Sequence, residues 1–153
     1  MSGKATVPAG FREGASQREL SEALRQVRKV ANYVYTTIRD LSTNGTGGDQ
    51  AIWTAEEALA MESSLVLQVK AQGKSADGVR YGAFEVAAMF QRGESGAASQ
   101  LGATTDKMTP IRSDAGITLT LGVDADSKVF AKVNDGGLAA MTWKAWIEAR
   151  RTG

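Results

Sequence analysis

The stretch GITLTLGVDADSKVFAKVND, residues 116–135, reads as two strands joined by a tight turn. Ile117, Leu119, Leu121 and Val123 alternate with Thr118 and Thr120, so one face is apolar and the other polar. After Asp124-Ala125-Asp126-Ser127 the alternation resumes with Val129, Ala131 and Val133. A period of two, with β-branched residues on both sides of an acidic turn, is the pattern of a half-buried antiparallel hairpin.

The same pattern recurs outward from this hairpin. SLVLQVKAQG places Leu65, Leu67, Val69 and Ala71 on one face, and YGAFEVAAMFQR does so with Phe84, Val86, Ala88 and Phe90. AMTWKAWIEAR aligns Met141, Trp143, Ala145, Ile147 and Ala149. Asp77-Gly78, Gly93 to Gly96 and Asp135-Gly136-Gly137 supply the turns. Residues 51–62 allow a weak strand or, at AEEALAM, a short helix. About seven or eight short strands at this spacing predict an antiparallel β-sandwich or jelly-roll-like domain over 51–153.

Upstream the expected organisation changes. Residues 1–16 are small and polar and predict an extended arm. Ser16 and Glu19 form a capping box before an apolar pattern, and Asn44-Gly45 offers a helix stop. Between them Leu20, Leu24, Val27, Ala31, Val34, Ile38 and Leu41 follow at alternating steps of 4 and 3. That spacing predicts a helix over 17–42 whose heptad seam acts as a coiled-coil-like trimerisation stalk. Ala23 and Val30 widen the stripe, which suits three helices better than two. A Gly-rich linker, 43–50, then joins the helix to the β domain. The predicted fold class is therefore mainly β, an N-terminal α-helix preceding a β-sandwich.

Composition removes most chemistry. The 153 residues contain no Cys and no His, which excludes thiol nucleophiles, disulfides, Cys/His zinc sites and an imidazole base. Lys plus Arg is 18 against 17 for Asp plus Glu, so the basic excess of a dedicated nucleic-acid binder is missing. No apolar run reaches the length of a membrane span or a signal peptide. Asp124 and Asp126 lack the remaining ligands of a calcium loop and read as a turn. GTGG at 45–48 lacks phosphate-loop spacing and reads as a linker. Asn44-Gly45-Thr46 fits a glycosylation acceptor, yet without a secretory signal it reads as a turn. Glu56, Glu57 and Glu62 are carboxylates without a predicted cleft, and Arg150 and Arg151 read as a solvated terminus. Trp53, Trp143 and Trp146 could form a stacking platform, but Trp143 and Trp146 sit an odd step apart and must face opposite sides of one strand. Trp146 is the candidate for surface recognition. No catalytic residue, metal ligand or cofactor is expected, and the chain is not expected to be an enzyme.

Five stretches carry a family likeness: SSLVLQVKAQG (63–73), GVRYGAFEVAAMFQRGESG (78–96), ASQLGATT (98–105), SDAGITLTLGVDADSKVFAKVND (113–135) and LAAMTWKAWIEARR (138–151). Together they resemble a domain of tailed-phage structural proteins of the short-fibre and decoration type. Tyr81 with Arg92, Leu101-Gly102, Asp114-Ala115 and Trp143 to Glu148 occupy the places of that family's pattern. Gly116-Ile117 departs from it, because an aromatic residue often follows Asp-Ala there. The resemblance implies a non-enzymatic virion component, a homotrimer. The expectation is a capsid decoration or head-fibre protein on the capsid surface, bound to the major capsid protein shell, with no nucleic-acid or membrane partner. The alternative is a short tail fibre or receptor-binding module that contacts a cell-surface glycan. A glycan-processing enzyme using Glu56 or Glu57 is the third reading.

Overall fold

The computed structural model describes residues 33–152, and nine strands account for its regular structure. In chain order they are β1 (Tyr33–Ser42), β2 (Gln50–Thr54), β3 (Ser63–Ser75), β4 (Tyr81–Arg92) and β5 (Ser99–Asp106). Then follow β6 (Ile111–Arg112), β7 (Ile117–Val123), β8 (Val129–Asp135) and β9 (Met141–Thr152). The larger sheet runs β1-β9-β3-β4-β5, with β6 also paired to β4, and the smaller one runs β2-β8-β7. All pairings are antiparallel. Strands β3, β4 and β5 follow one another as a meander within the larger sheet, and the chain crosses to the smaller sheet for β2 and again for β7 and β8.

The mainly β expectation agrees with this architecture, and the alternation in sequence becomes the burial pattern. Leu67, Val69 and Ala71 of β3, Phe84 to Phe90 of β4 and Met141 to Ala149 of β9 turn their apolar set inward. Ile117, Leu121, Val129, Ala131 and Val133 face them from the smaller sheet, forming one core.

The N-terminal helix is corrected from Tyr33 onward. Residues 33–42 are strand β1, in register with β9 from Tyr33 opposite Arg151 to Ser42 opposite Thr142. No helix occurs among the described residues. The run Tyr-Val-Tyr-Thr-Thr-Ile is aromatic and β-branched, which favours a pleated, half-buried strand. Alternation splits the supposed seam: Val34 and Ile38 are 52% and 55% exposed, whereas Leu41 packs against the core from the other face. Leu20, Leu24, Val27 and Ala31, like the 1–16 arm, lie outside the described residues. The Gly-rich stretch after Ser42 is a loop between β1 and β2, so the strand before it shares a core with those after it.

Two sets of contacts organise this core. The first is the seating of Trp143, which is fully buried and stacks on Phe84 at 6.3 Å between ring centroids. Gly73 lies opposite it on β3, and a Cβ there would overlap the indole ring. A Cβ at Gly82 would lie 2.8 Å from Ile117 Cγ2 and 2.9 Å from Phe84 Cε2. The ring therefore occupies space that Gly73 leaves open, while Gly82 leaves room for Ile117 and Phe84. The second is Asp135, 1% exposed at the end of β8. Its carboxylate accepts hydrogen bonds from the backbone N–H groups of Gly45 at 2.7 Å, Gly47 at 3.0 Å and Gly137 at 2.9 Å. Gly45 has φ +82°, the left-handed backbone that turns its N–H inward, and a Cβ there would meet Ala140 N at 2.9 Å. The β1–β2 loop is thus tied to the β8–β9 turn.

Gly73→Ala is expected to destabilise the fold by about 1–3 kcal/mol, the usual cost of overpacking a dense core, read as a lower urea midpoint. Asp135 sets an acid limit. Burial pushes its carboxyl up, but hydrogen bonds from Gly137, the Thr43 hydroxyl, Gly45 and Gly47 outweigh burial and hold it below the ordinary 3.8. The folded state therefore binds the proton more weakly than the unfolded chain. This contribution is complete above the unfolded value and is lost as pH falls through the folded one. Urea midpoints should decline as the pH drops below about 4, and Asp135→Asn should weaken that decline while lowering stability at neutral pH.

Candidate functional site

Strand β9 presents its other side chains outward, and Trp146 is 38% exposed there. Ile38 of β1 lies opposite it on one side and Lys70 of β3 on the other. Lys70 in turn faces Glu85 of β4. The neighbouring row reads Thr36, Glu148, Gln68 and Ala87 across the same four strands, and Gln72 and Ala83 flank the first row on its other side. Apart from Ala87, these residues together with Met108 border an open groove of about 990 Å³.

The polar groups of the groove constrain one another. Gln68 Nε2 donates to Glu85 Oε2 at 3.4 Å. Arg150 Nε donates to Glu148 Oε2 at 2.6 Å, and Lys144 lies 3.9 Å from Asp40 at the other end of the face. The site thus offers one exposed indole beside amide donors and acceptors, two carboxylates and an ammonium group. Several other apolar side chains also remain exposed on this face, including Val34, Val66, Met89 and Leu101, which lie in one row with Arg150.

The remaining candidates fall elsewhere. Trp143 is core and Trp53 is 7% exposed beside Tyr35, with ring centroids 6.5 Å apart, so the three tryptophans form no shared platform. Asp124 staples its own turn by accepting from the backbone N–H groups of Asp126 at 2.9 Å and Lys128 at 3.0 Å. Asn44 Oδ1 accepts from the backbone and hydroxyl of Thr46. Glu56 and Glu57 are exposed on the loop after β2 and border a second, smaller cavity, whereas Glu62 lies at a positive φ of 58°. Arg150 is paired to Glu148, and Arg151 points to the inner side of the sheet with its Nε buried. No group of three or more acidic side chains is close enough to hold a metal ion among the described residues.

Sequence reasoning finds Trp146 but misses its companions. Gln68, Lys70 and Gln72 are visible as the polar positions of a strand. Their meeting with Trp146 depends on β9 inserting between β1 and β3, which the order of elements along the chain does not announce.

No protein-family model matches the sequence, and no curated protein does. Among solved structures, the crystal structure of the Acinetobacter baumannii phage AM24 tailspike protein is similar at 12% identity with a TM-score of 0.46, over 96% of this chain and 30% of that one. A tailspike protein from Acinetobacter baumannii bacteriophage Fri1, described as a capsular polysaccharide depolymerase, is similar at 12% identity with a TM-score of 0.41, over 84% of this chain and 21% of that one. The chain spans less than a third of either protein. Likeness at this level assigns no activity to it.

The two β9 tryptophans should separate cleanly in unfolding experiments. Trp143→Ala is expected to cost about 3–5 kcal/mol, the loss of a large buried side chain. Trp146→Ala should stay within about 0.5 kcal/mol of the parent, as exposed positions do. Urea titration followed by circular dichroism reads both.

Proposed function

We propose that the chain is a structural module of a tailed-phage virion that contacts a cell-surface glycan through the groove around Trp146. The observation that carries the glycan contact is the exposed Trp146 indole with Gln68, Lys70, Gln72 and Glu85 on neighbouring strands. A sugar ring has an apolar C–H face and a rim of hydroxyls. The indole suits the first, since an aromatic surface buries apolar area while its edge stays polar. Amide, ammonium and carboxylate groups suit the second as donors and acceptors. An open groove also admits the middle of a polymer, which a closed pocket does not. The virion assignment rests on the resemblance of residues 63–151 to phage fibre and decoration domains.

The expected trimerisation helix reaches Leu41 under either reading, and β1 occupies the last ten residues of that segment. No feature of the described surface favours shell binding over glycan contact. The proposed role is binding without turnover, in a homotrimer. Three copies on one particle would convert weak single contacts into firm attachment, because the second and third contacts form at high effective concentration.

A glycan array probed with the whole chain tests this reading. At least one surface polysaccharide should be bound, and Trp146→Ala should weaken that binding at least about tenfold, or about 1.4 kcal/mol, with an unchanged melting temperature. The bound polysaccharide should keep its length on incubation. Full affinity in Trp146→Ala, or no polysaccharide bound, overturns the proposal, and shortened products overturn the non-enzymatic part.

A further inference from the structure

The outer face of the larger sheet carries an apolar row that the groove does not use. Val34, Arg150, Val66, Met89 and Leu101 stand side by side across β1, β9, β3, β4 and β5. The four apolar members are 38% to 52% exposed, and none of the five borders the groove. Arg150 suits such a row, because its stem is aliphatic and its Nε donates to Glu148. Apolar side chains scattered singly over a surface need no explanation, but a contiguous strip marks a place where something docks.

The chain itself supplies a cover of the right kind. Residues 17–31 lie outside the described residues, and the sequence leads from them into β1 at the edge where the row begins. Ala31 stands two residues before Tyr33 and three before Val34. Strand β1 takes Val34, Ile38 and Leu41 out of the predicted seam and leaves Leu20, Leu24, Val27 and Ala31. Those four span fewer than two heptads, whereas a coiled coil needs about three or four. A helix this short is marginal by itself and gains its stability by laying an apolar face on other structure. The stripe is also one-sided. Arg18, Glu22, Arg25 and Lys29 repeat its steps two residues out of phase, about 200° round a helix.

We propose that residues 17–31 form an amphipathic helix lying across the outer face of the chain's own larger sheet, over the Val34 to Leu101 row. The lengths agree. Four strand-to-strand steps from β1 to β5 measure about 19 Å, and a helix rises about 17 Å from Leu20 to Ala31. Leu24 then falls about 10 Å from Ala31, over Val66 of β3, two strand steps from β1. The link from Ala31 to Tyr33 reaches about 7 Å at most, which holds that end of the helix at its own β1. Along β9 the row lies four residues from Trp146, about 13 Å. That exceeds the radius of a helix with its side chains, about 5–6 Å. The helix walls the groove on one side and leaves the Trp146 indole open.

Disulfide trapping in the whole chain tests the proposal, since a sequence without cysteine gives no background. Leu24→Cys with Val66→Cys should close a bond on mild oxidation, whereas Leu24→Cys with Lys74→Cys, toward the other end of β3, should not. In a mixture of isotope-labelled and unlabelled chains of the first variant, each trapped bond should join peptides of one label, as a bond within a chain does. Trypsin should cut the parent slowly at Arg25, Arg28 and Lys29. Leu24→Asp and Val66→Asp should each speed those cuts at least about tenfold, because each puts a charge into the apolar contact, with the β signal in circular dichroism retained. Equal trapping at Val66 and Lys74 overturns the proposal, as does cleavage of both Asp variants at the parent's rate. Bonds that join chains of different label overturn it as well, because they put the segment on a second copy. None of these readings involves Trp146.

Discussion

The fold hangs on the seating of the Trp143 indole against Gly73. Trp143 lies on β9, the last strand in sequence, which pairs with β1 on one side and β3 on the other. The larger sheet is thus completed only when the end of the chain arrives between its beginning and its middle. A bulky ring at that position fixes the register of β9 against β3, because a slip of one residue would turn Trp143 out and Trp146 in. Trp143 Nε1 is itself buried without a partner. The packing of the ring, with Phe84 stacked on it, has to outweigh that unsatisfied donor. Asp135 complements this seat by fastening the loop that leads out of β1 to the turn that leads into β9.

Much of this architecture is legible in the sequence, for a simple reason. Strands with one buried face announce themselves by period-two alternation, and β3, β4, β7, β8 and β9 all do so. The odd step between Trp143 and Trp146 is enough, by itself, to give them opposite exposures. Strand β1 mimics a helix because its apolar residues satisfy two periods at once. Val34 and Ile38 are four apart, which is one turn of a helix and also two pleats of a strand. Leu41, three residues further on, suits only the helix, and the capping signals at Ser16 and Asn44 frame the whole segment as one element. The tie-breaker is composition: the aromatic and β-branched run at 33–38 favours the strand. Strand β5 offers no alternation to read, because nearly all its residues are exposed. Its pairing with β4 is also interrupted by an irregularity between Ala87 and Met89.

The alternation that builds the core also builds the candidate surface. From Thr142 to Arg150, each outward position of β9 lies between an outward position of β1 and one of β3, so Trp146 is bordered by Ile38 and Lys70 as a consequence of sheet order. Propensity at single positions does not encode such neighbours. The same holds for the smaller cavity on the inner side of the sheet, where Arg151, Tyr35 and the rim glutamates come from distant parts of the chain. Sequence reasoning can name Trp146 as exposed and Glu56 and Glu57 as acidic, but it places none of them in a site with its partners.

The Trp146 groove requires Tyr33–Ser42 to be a strand held by β9. Backbone NMR of the whole chain, combining secondary chemical shifts with amide exchange, decides whether it is. Extended shifts are expected over 33–42, with slow exchange at alternate residues there and slow exchange along β9, whose two neighbours bond its amides from both sides. Helical shifts with uninterrupted protection across 33–42, or rapid exchange along β9, would show that the strand and its pairing are wrong.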